Sequence, residues 1–127
     1  MADTMNHGTI LFGHGSRDPL WRLPIEAVAR RMQELQPGAR VQCAYLELST
    51  PDLATAADTL VAQGCRSITV LPMFLGAGRH AREDLPLLLA KLREHYPSVH
   101  FIQQPAIGEM ASVIDLMARE ALRNPVT

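Results

Sequence analysis

Short apolar runs alternate along the chain with longer stretches in which apolar residues recur every three or four positions. The runs are too short for helices and show little polar alternation, which is typical of strands in a parallel sheet. The longer stretches have the spacing of amphipathic helices. We therefore expect four strands, each followed by a helix. The strands are expected at residues 9–12, 41–46, 68–74 and 99–102, the third of them buried on both faces of the sheet.

Proline and glycine mark the boundaries of the first two helices. Pro37-Gly38 ends the first helix. Ser49 or Thr50 is expected to cap the second helix, with Pro51 at its first position. The first helix also carries an apolar stripe that we expect to pack in the core, formed by Trp21, Ile25, Val28, Met32 and Leu35.

A glycine-containing loop separates the third strand from the third helix. His80 is expected on this loop. Glu83 and Asp84 are expected in the first turn of the helix that follows, where the helix dipole favours negative charge. The last helix is expected to present one apolar face, formed by Met110, Val113, Ile114 and Met117.

The alternation of strand and helix predicts an α/β fold with a four-stranded parallel sheet and helices on both faces. We expect one domain over residues 1–127, with its core at about residues 8–123. If strand two lies on one side of strand one and strand three on the other, the order is 2-1-3-4. That order places a topological switch point between strands one and three. His14 follows strand one and His80 follows strand three, so both histidines would meet at this crevice.

Composition and charge exclude several classes of function. The 127 residues carry a formal net charge of −1 and few aromatic side chains, so nucleic acid is not an expected partner. Apolar runs fall short of the roughly 20 residues that span a bilayer, and the polar N-terminus does not resemble a signal peptide. We therefore expect a cytoplasmic protein without membrane attachment. Cys43 and Cys65 lie in apolar contexts and are expected to be free thiols.

The histidines at the expected crevice suggest metal chemistry, because neutral imidazole is the commonest protein ligand of divalent first-row metals. Two imidazoles, from His14 and His80, leave coordination positions open, which suits a metal that is handled transiently. Glu47, after strand two, is a candidate third ligand, a base or a surface carboxylate. A phosphohistidine enzyme is an alternative, with His14 as nucleophile, His80 as acid and Arg17 as phosphate clamp. The sequence contains neither a nucleotide-binding P-loop nor a GxSxG nucleophile motif.

Three arginines come from the same two loops, namely Arg17, Arg79 and Arg82. Guanidinium groups bind carboxylates bidentately, so these side chains could hold an anionic ligand, although solvated loop arginines are an equal alternative. Ser16 and Gly78 lie in the same loops and are further candidates for contact with a substrate.

Four segments resemble the class II tetrapyrrole chelatases, and most closely their short CbiX-type sirohydrochlorin cobaltochelatases. These are GHGSRDP after strand one, LELSTPDL after strand two, LPMFLGAGRHAREDLP around the end of strand three, and PAIG after strand four. The resemblance extends from about residue 9 to residue 108. It implies a chelatase-like half unit whose two functional histidines correspond to His14 and His80, and whose acidic residue corresponds to Glu47.

The resemblance also implies an activity and partners. The activity would be ATP-independent insertion of a divalent metal into sirohydrochlorin, with Co²⁺ expected and Fe²⁺ or Ni²⁺ as alternatives. No tightly bound cofactor is implied. Many members of the family contain two tandem copies of this unit, so a homodimer is expected for a chain with one copy. A metal or tetrapyrrole carrier without turnover is the remaining alternative.

Overall fold

The computed structural model of the protein describes residues 6–125. Residues 1–5, which carry most of the polar N-terminal segment considered above, lie outside the described part of the chain. Within it, one parallel sheet has four strands in the order β2-β1-β3-β4, as predicted. The strands are β1 (His7–Gly13), β2 (Arg40–Tyr45), β3 (Ser67–Pro72) and β4 (His100–Gln103). The helices are α1 (Leu23–Leu35), α2 (Leu53–Ala62), α3 (Arg79–His95) and α4 (Ala111–Leu122), with a 3₁₀ helix at Ile107–Glu109.

One face of the sheet is covered by α2 and α3 and forms the main hydrophobic core. Alternate residues of each strand point to this face, as the pleat requires. They meet a row of buried leucines and alanines from the two helices. The fully buried strand residues of this core include Ile10, Phe12, Ile68 and Val70, and the helix residues include Leu53, Leu60, Leu85 and Leu89.

The opposite face is covered by α1, which packs on β2 and β1. Ile25 of α1 and Leu11 and Tyr45 of these strands are buried there. The apolar stripe of the first helix was expected to lie in the core, but only part of it is buried. Leu35 and other members of the stripe are exposed. β3 is not buried on both faces, since Thr69 and Leu71 remain partly accessible to solvent on the α1 side. Helices thus lie on both faces, as predicted, but they cover them unequally.

Two helix starts differ from the sequence prediction. Asp52, and not Ser49 or Thr50, caps α2, because its extended backbone lets the carboxylate accept a hydrogen bond from the backbone N–H of Thr55 at 2.9 Å. α3 begins at Arg79, so His80 lies in the first helical turn instead of a loop, and Glu83 and Asp84 fall in the second turn. Within the described residues, none of the helices is both long and apolar enough to cross a membrane.

Candidate functional site

The loops after β1, β2 and β3 are joined by backbone hydrogen bonds at the carboxyl edge of the sheet. The N–H of Leu46 donates to the carbonyl of Gly13 at 3.0 Å, and the N–H of Glu47 donates to the carbonyl of His14 at 3.1 Å. On the other side of β1, the N–H of Met73 donates to the carbonyl of Phe12 at 2.8 Å. The β1 chain end that carries His14 is therefore held between its two neighbours before it leaves the sheet.

Gly15 allows the first two loops to approach each other closely. Its φ of +107° lies in the region that favours glycine, and a Cβ atom there would lie 1.6 Å from the carbonyl oxygen of Glu47. Ser16 and Ser49 add two side-chain links, because the Ser49 hydroxyl donates to the carbonyl of Ser16 at 2.8 Å and lies 3.2 Å from the Ser16 N–H. These two bonds use only the backbone of Ser16, so its contact with substrate stays a prediction.

His14 lies beside a carboxylate and an aromatic ring. Its Nε2 atom is 3.5 Å from Oε1 of Glu47, and about half of each side chain is exposed. The imidazole also meets the ring of Phe74 edge to face, with 6.4 Å between the ring centroids. The structure therefore brings together His14 and Glu47, which come from different strand ends. An imidazole next to a carboxylate can pass a proton to it or be oriented by it.

His80 has a carboxylate partner of its own. Its Nδ1 atom is 3.4 Å from Oδ2 of Asp84, four residues later on the same face of α3, and the histidine side chain is 87% exposed. This contact leaves Nε2 as the ring nitrogen that Asp84 does not engage. Asp84 was assigned only a helix-dipole role from the sequence. The i, i+4 spacing would have indicated the contact once the helix was known to begin at Arg79.

Both histidines line one open cavity of about 440 Å³ at this edge of the sheet. The side chain of Arg79 also reaches it, although its Nε donates to Glu83 at 2.9 Å. An added Cβ at Gly76 or Gly78 would meet nothing within 4 Å, so this wall of the cavity is open. The complete lining of the cavity is His14, Phe74, Gly76, Gly78, Arg79, His80 and Ala81.

The other two predicted arginines are not among the residues that line the cavity. Arg17 and Arg82 are exposed, the first in the β1–α1 loop and the second in the first turn of α3. Phe74 was expected in the third strand, but β3 ends at Pro72 and the phenyl ring becomes a wall of the site. The sequence offered no signal for this, since an aromatic residue at the end of an apolar run is equally typical of a buried strand.

The donor set suits a metal that binds with ligands from another molecule. Among the described residues, no three histidine, cysteine, aspartate or glutamate side chains lie close enough together to hold a metal ion. Glu47 therefore contacts His14 without completing a three-ligand group with His80. Two imidazoles on one open cavity leave coordination positions for an incoming ligand.

The two cysteines take no part in the site. Cys43 packs beneath α1 and Cys65 lies in the core under α2, and both are free thiols, as predicted. Burial, and to a smaller degree the charge of Glu26, raises the pKa of Cys43. Burial likewise raises the pKa of Cys65. Burial also raises the pKa of the neighbouring Tyr45 hydroxyl to about 12. These groups are therefore protonated at neutral pH and are poor metal ligands.

Comparison with known proteins gives consistent matches over nearly the whole chain. The chain is 28% identical over 110 residues to a sirohydrochlorin cobaltochelatase of Priestia megaterium, covering 86% of this chain and 36% of the relative. It is also 28% identical over 110 residues to a chloroplastic sirohydrochlorin ferrochelatase of Arabidopsis thaliana, covering 87% of this chain and 49% of the relative. The chain thus spans between a third and a half of the length of these two relatives.

A solved structure of nearly the same size has the same fold. A CbiX protein from Marinobacter aquaeolei VT8 superposes with a TM-score of 0.78 at 32% identity, and 91% of each chain is covered. The family model CbiX matches residues 8–124. This range contains all four helices and all four strands, except for His7 at the start of β1. The chain therefore belongs to the CbiX family.

Proposed function

We propose that the protein is an ATP-independent chelatase that inserts a divalent metal, Co²⁺ in the first instance, into sirohydrochlorin. The observation that carries the proposal is that His14, which follows β1, and His80, in the first turn of α3, line one open cavity. The names of the relatives support the substrate, and they include both a cobaltochelatase and a ferrochelatase. Two imidazoles do not select among Co²⁺, Fe²⁺ and Ni²⁺, so the choice of Co²⁺ rests on the Priestia megaterium relative.

His14 and His80 would present the metal ion at the cavity while the remaining coordination positions stay open. The pyrrole nitrogens of the substrate would then replace the histidines one after another, so the metal is never enclosed by the protein. A closed four-ligand site would hold the ion too firmly for this exchange.

Insertion of a divalent ion releases two pyrrole N–H protons, which need acceptors. Each histidine lies beside a carboxylate, Glu47 next to His14 and Asp84 next to His80. Each pair can take up one proton as a metal–nitrogen bond forms, and then release it to solvent through its exposed side chains. These two pairs favour an enzyme over a simple metal carrier, because a carrier needs ligands but no proton acceptors.

The carboxylates of the substrate would be bound by positive charge around the cavity. Arg79 lines it, and Arg17 and Arg82 extend from the adjacent loop and helix. Gly78 is the N-cap residue of α3 and provides no side-chain cap, so the first backbone N–H groups of the helix are open to an anion. The cavity is open on one side, and we propose that a second copy of the chain supplies the opposing wall in a homodimer. The two free thiols fit a reducing cytoplasm.

The test is an absorbance time course of sirohydrochlorin with Co²⁺, repeated with Ni²⁺ and, under anaerobic conditions, with Fe²⁺. The wild type, His14→Ala and His80→Ala would be compared with a protein-free blank. His95→Ala is the matched control, because His95 is exposed at the far end of α3. We expect acceleration by the wild type and the control, and its loss in the two cavity variants. Absence of acceleration with every metal would contradict a chelatase, and retained metal binding would then identify a carrier.

A further inference from the structure

The two histidines of the cavity are restrained to different degrees. About half of the His14 side chain is exposed, and its imidazole has two neighbours, the carboxylate of Glu47 and the ring of Phe74. The His80 side chain is 87% exposed. Among the described residues, it pairs with the carboxylate of Asp84 at 3.4 Å and with no aromatic ring. His14 is therefore the more restrained of the two imidazoles.

Phe74 connects the His14 imidazole to the hydrophobic core. The centroid of its ring is 6.4 Å from that of the imidazole, with 71° between the ring planes. On the other side it is 6.3 Å from the ring of Phe12, with 67° between the planes. Both pairs have the edge-to-face geometry and the separation at which aromatic rings attract each other. Phe12 is fully buried, and Phe74 packs against the same core from a partly buried position. Three rings thus form a continuous contact from the core to the cavity.

The backbone at Phe74 is held by hydrogen bonds to two other segments. The N–H of Met73 donates to the carbonyl of Phe12 at 2.8 Å, which ties this part of the chain to β1. The carbonyl of Phe74 accepts a hydrogen bond from the N–H of Gly108 at 2.9 Å. The phenyl ring therefore extends from a backbone that is fixed on both sides, and it can serve as a rigid support for a neighbouring side chain.

A histidine side chain needs neighbours of this kind to keep one orientation. Its second side-chain torsion has a broad and roughly two-fold preference, so the backbone alone does not set the plane of the ring. At His14, the Glu47 carboxylate lies 3.5 Å from Nε2, and Phe74 contacts the ring edge to face. One polar and one aromatic contact together define the ring plane. Groups that orient a metal-binding histidine in this way strengthen its affinity for the metal.

We propose that Phe74 is a positioning residue that fixes the His14 imidazole for metal binding, and that the two histidines consequently have different roles. His14 is the anchored ligand, because its orientation is set before the metal arrives and little side-chain freedom is lost on binding. His80, the more exposed imidazole, is the ligand that the first pyrrole nitrogen displaces. This order of displacement rests on the proposed chelatase function, whereas the positioning of His14 by Phe74 does not.

The affinity of the protein for Co²⁺, measured by calorimetry without tetrapyrrole, tests the positioning role. We expect Phe74→Leu to weaken binding by about tenfold, as for other groups that orient a metal-binding histidine, and Phe74→Tyr to keep the wild-type affinity. Phe101→Leu is the matched control, because Phe101 is buried in the same core on β4 and does not line the cavity. Unchanged affinity in Phe74→Leu, an equal loss in Phe74→Tyr, or an equal loss in Phe101→Leu would overturn the proposal.

The mobility of the two imidazoles in the metal-free protein gives a second test. NMR relaxation of protein with ¹³C-labelled histidine yields an order parameter for each ring, and His14→Ala and His80→Ala assign the signals. We expect a higher order parameter for His14 than for His80. In Phe74→Leu the His14 value should fall towards that of His80, which should itself stay unchanged. Equal values in the wild type, or a His14 value that does not respond to Phe74→Leu, would overturn the proposal even if the protein inserts metal.

The Co²⁺ affinities of the two histidine variants test the division of roles. We expect His14→Ala to weaken binding about five-fold more than His80→Ala, which is the contribution of one side chain that is already immobilised. Equal losses, or the reverse ranking, would overturn the division of roles. A wild type that binds Co²⁺ with the expected ranking but does not accelerate insertion would contradict the chelatase and support the anchored His14. A wild type that binds no Co²⁺ would overturn both.

Discussion

Glu47 is the residue that most directly connects the site geometry to proton transfer. Its carboxylate lies 3.5 Å from the His14 imidazole, and its backbone N–H holds the carbonyl of the same histidine. The backbone bond does not depend on the side chain. A change of the carboxylate alone therefore tests its chemistry without loosening the loop.

We expect Glu47→Gln to lower the rate of metal insertion by about 100-fold, because general-base catalysis typically contributes 10² to 10⁴. Binding of Co²⁺ to the free protein, measured by calorimetry, should change much less. Glu34→Gln is the control, since Glu34 pairs with Arg31 on the exposed side of α1. An unchanged insertion rate in Glu47→Gln would show that this carboxylate accepts no proton in the rate-limiting step.

Gly15 offers a second test at the scale of one residue. Gly15 and Gly38 both have φ values near +100°, at +107° and +90°, but an added Cβ at Gly38 would meet nothing within 4 Å. We expect Gly38→Ala to lower the free energy of unfolding by about 1 kcal/mol, from backbone strain alone. Gly15→Ala should lower it more and reduce insertion activity, because its Cβ would collide with Glu47. Urea denaturation of both variants measures this, and equal losses of stability would contradict the close contact between the loops.

The cysteines give a prediction from their pKa values. Burial raises the pKa of both thiols, so little of the reactive thiolate is present at pH 7.5. We expect iodoacetamide to alkylate Cys43 and Cys65 far more slowly in the native protein than in the unfolded chain. Mass spectrometry of samples quenched over time checks this. Rapid modification of the native protein would place a thiol at the surface instead.

At the scale of elements, the cap of α2 carries a pH-dependent prediction. The hydrogen bond from Thr55 lowers the pKa of Asp52, so the carboxylate stabilises the folded state when it is charged. That contribution is complete above the unfolded-state pKa of about 4 and is lost as the pH falls through the lower folded-state value.

We expect Asp52→Ala to lower the free energy of unfolding by about 1 kcal/mol at pH 7, as for other N-cap losses. The difference from the wild type should shrink as the solution is acidified below about pH 4. Urea denaturation at several pH values measures it. Asp115→Ala, in the exposed ion pair of α4, is the control, and a difference for Asp52→Ala that persists at low pH would contradict the cap.

Hydrophobic periodicity predicted the four strands, and the order that right-handed crossovers suggested for them is confirmed. It failed where short-range side-chain contacts decide the outcome. α3 begins earlier than predicted, at Arg79. The i, i+4 pairs Arg79–Glu83 and His80–Asp84 support this additional turn. Asp52 caps α2, whereas the Ser49 hydroxyl is hydrogen-bonded to the backbone of Ser16 in another loop. The local hydrophobic pattern carries no information about contacts between loops that are distant in sequence.

At the scale of the whole molecule, the exposure of α4 was not predictable from the sequence. Its apolar stripe looks the same in sequence whether or not another element covers it, and none of its residues is buried. The strand order, in contrast, was predicted, and it brings the segments that carry the two histidines together. The two longer relatives are roughly twice as long as this chain, and the solved CbiX structure is nearly equal to it in length, which fits a unit used singly or within a larger protein.

The central claim is that His14 and His80 act on one metal ion in one cavity. The most direct measurement is the initial rate of Co²⁺ insertion into sirohydrochlorin by the wild type, each single alanine variant and the double variant, after subtraction of the protein-free rate. If the histidines act together, each single variant loses most of the acceleration and the double variant is hardly slower than either. Two independent losses that multiply in the double variant, or full activity in either single variant, would contradict a shared site.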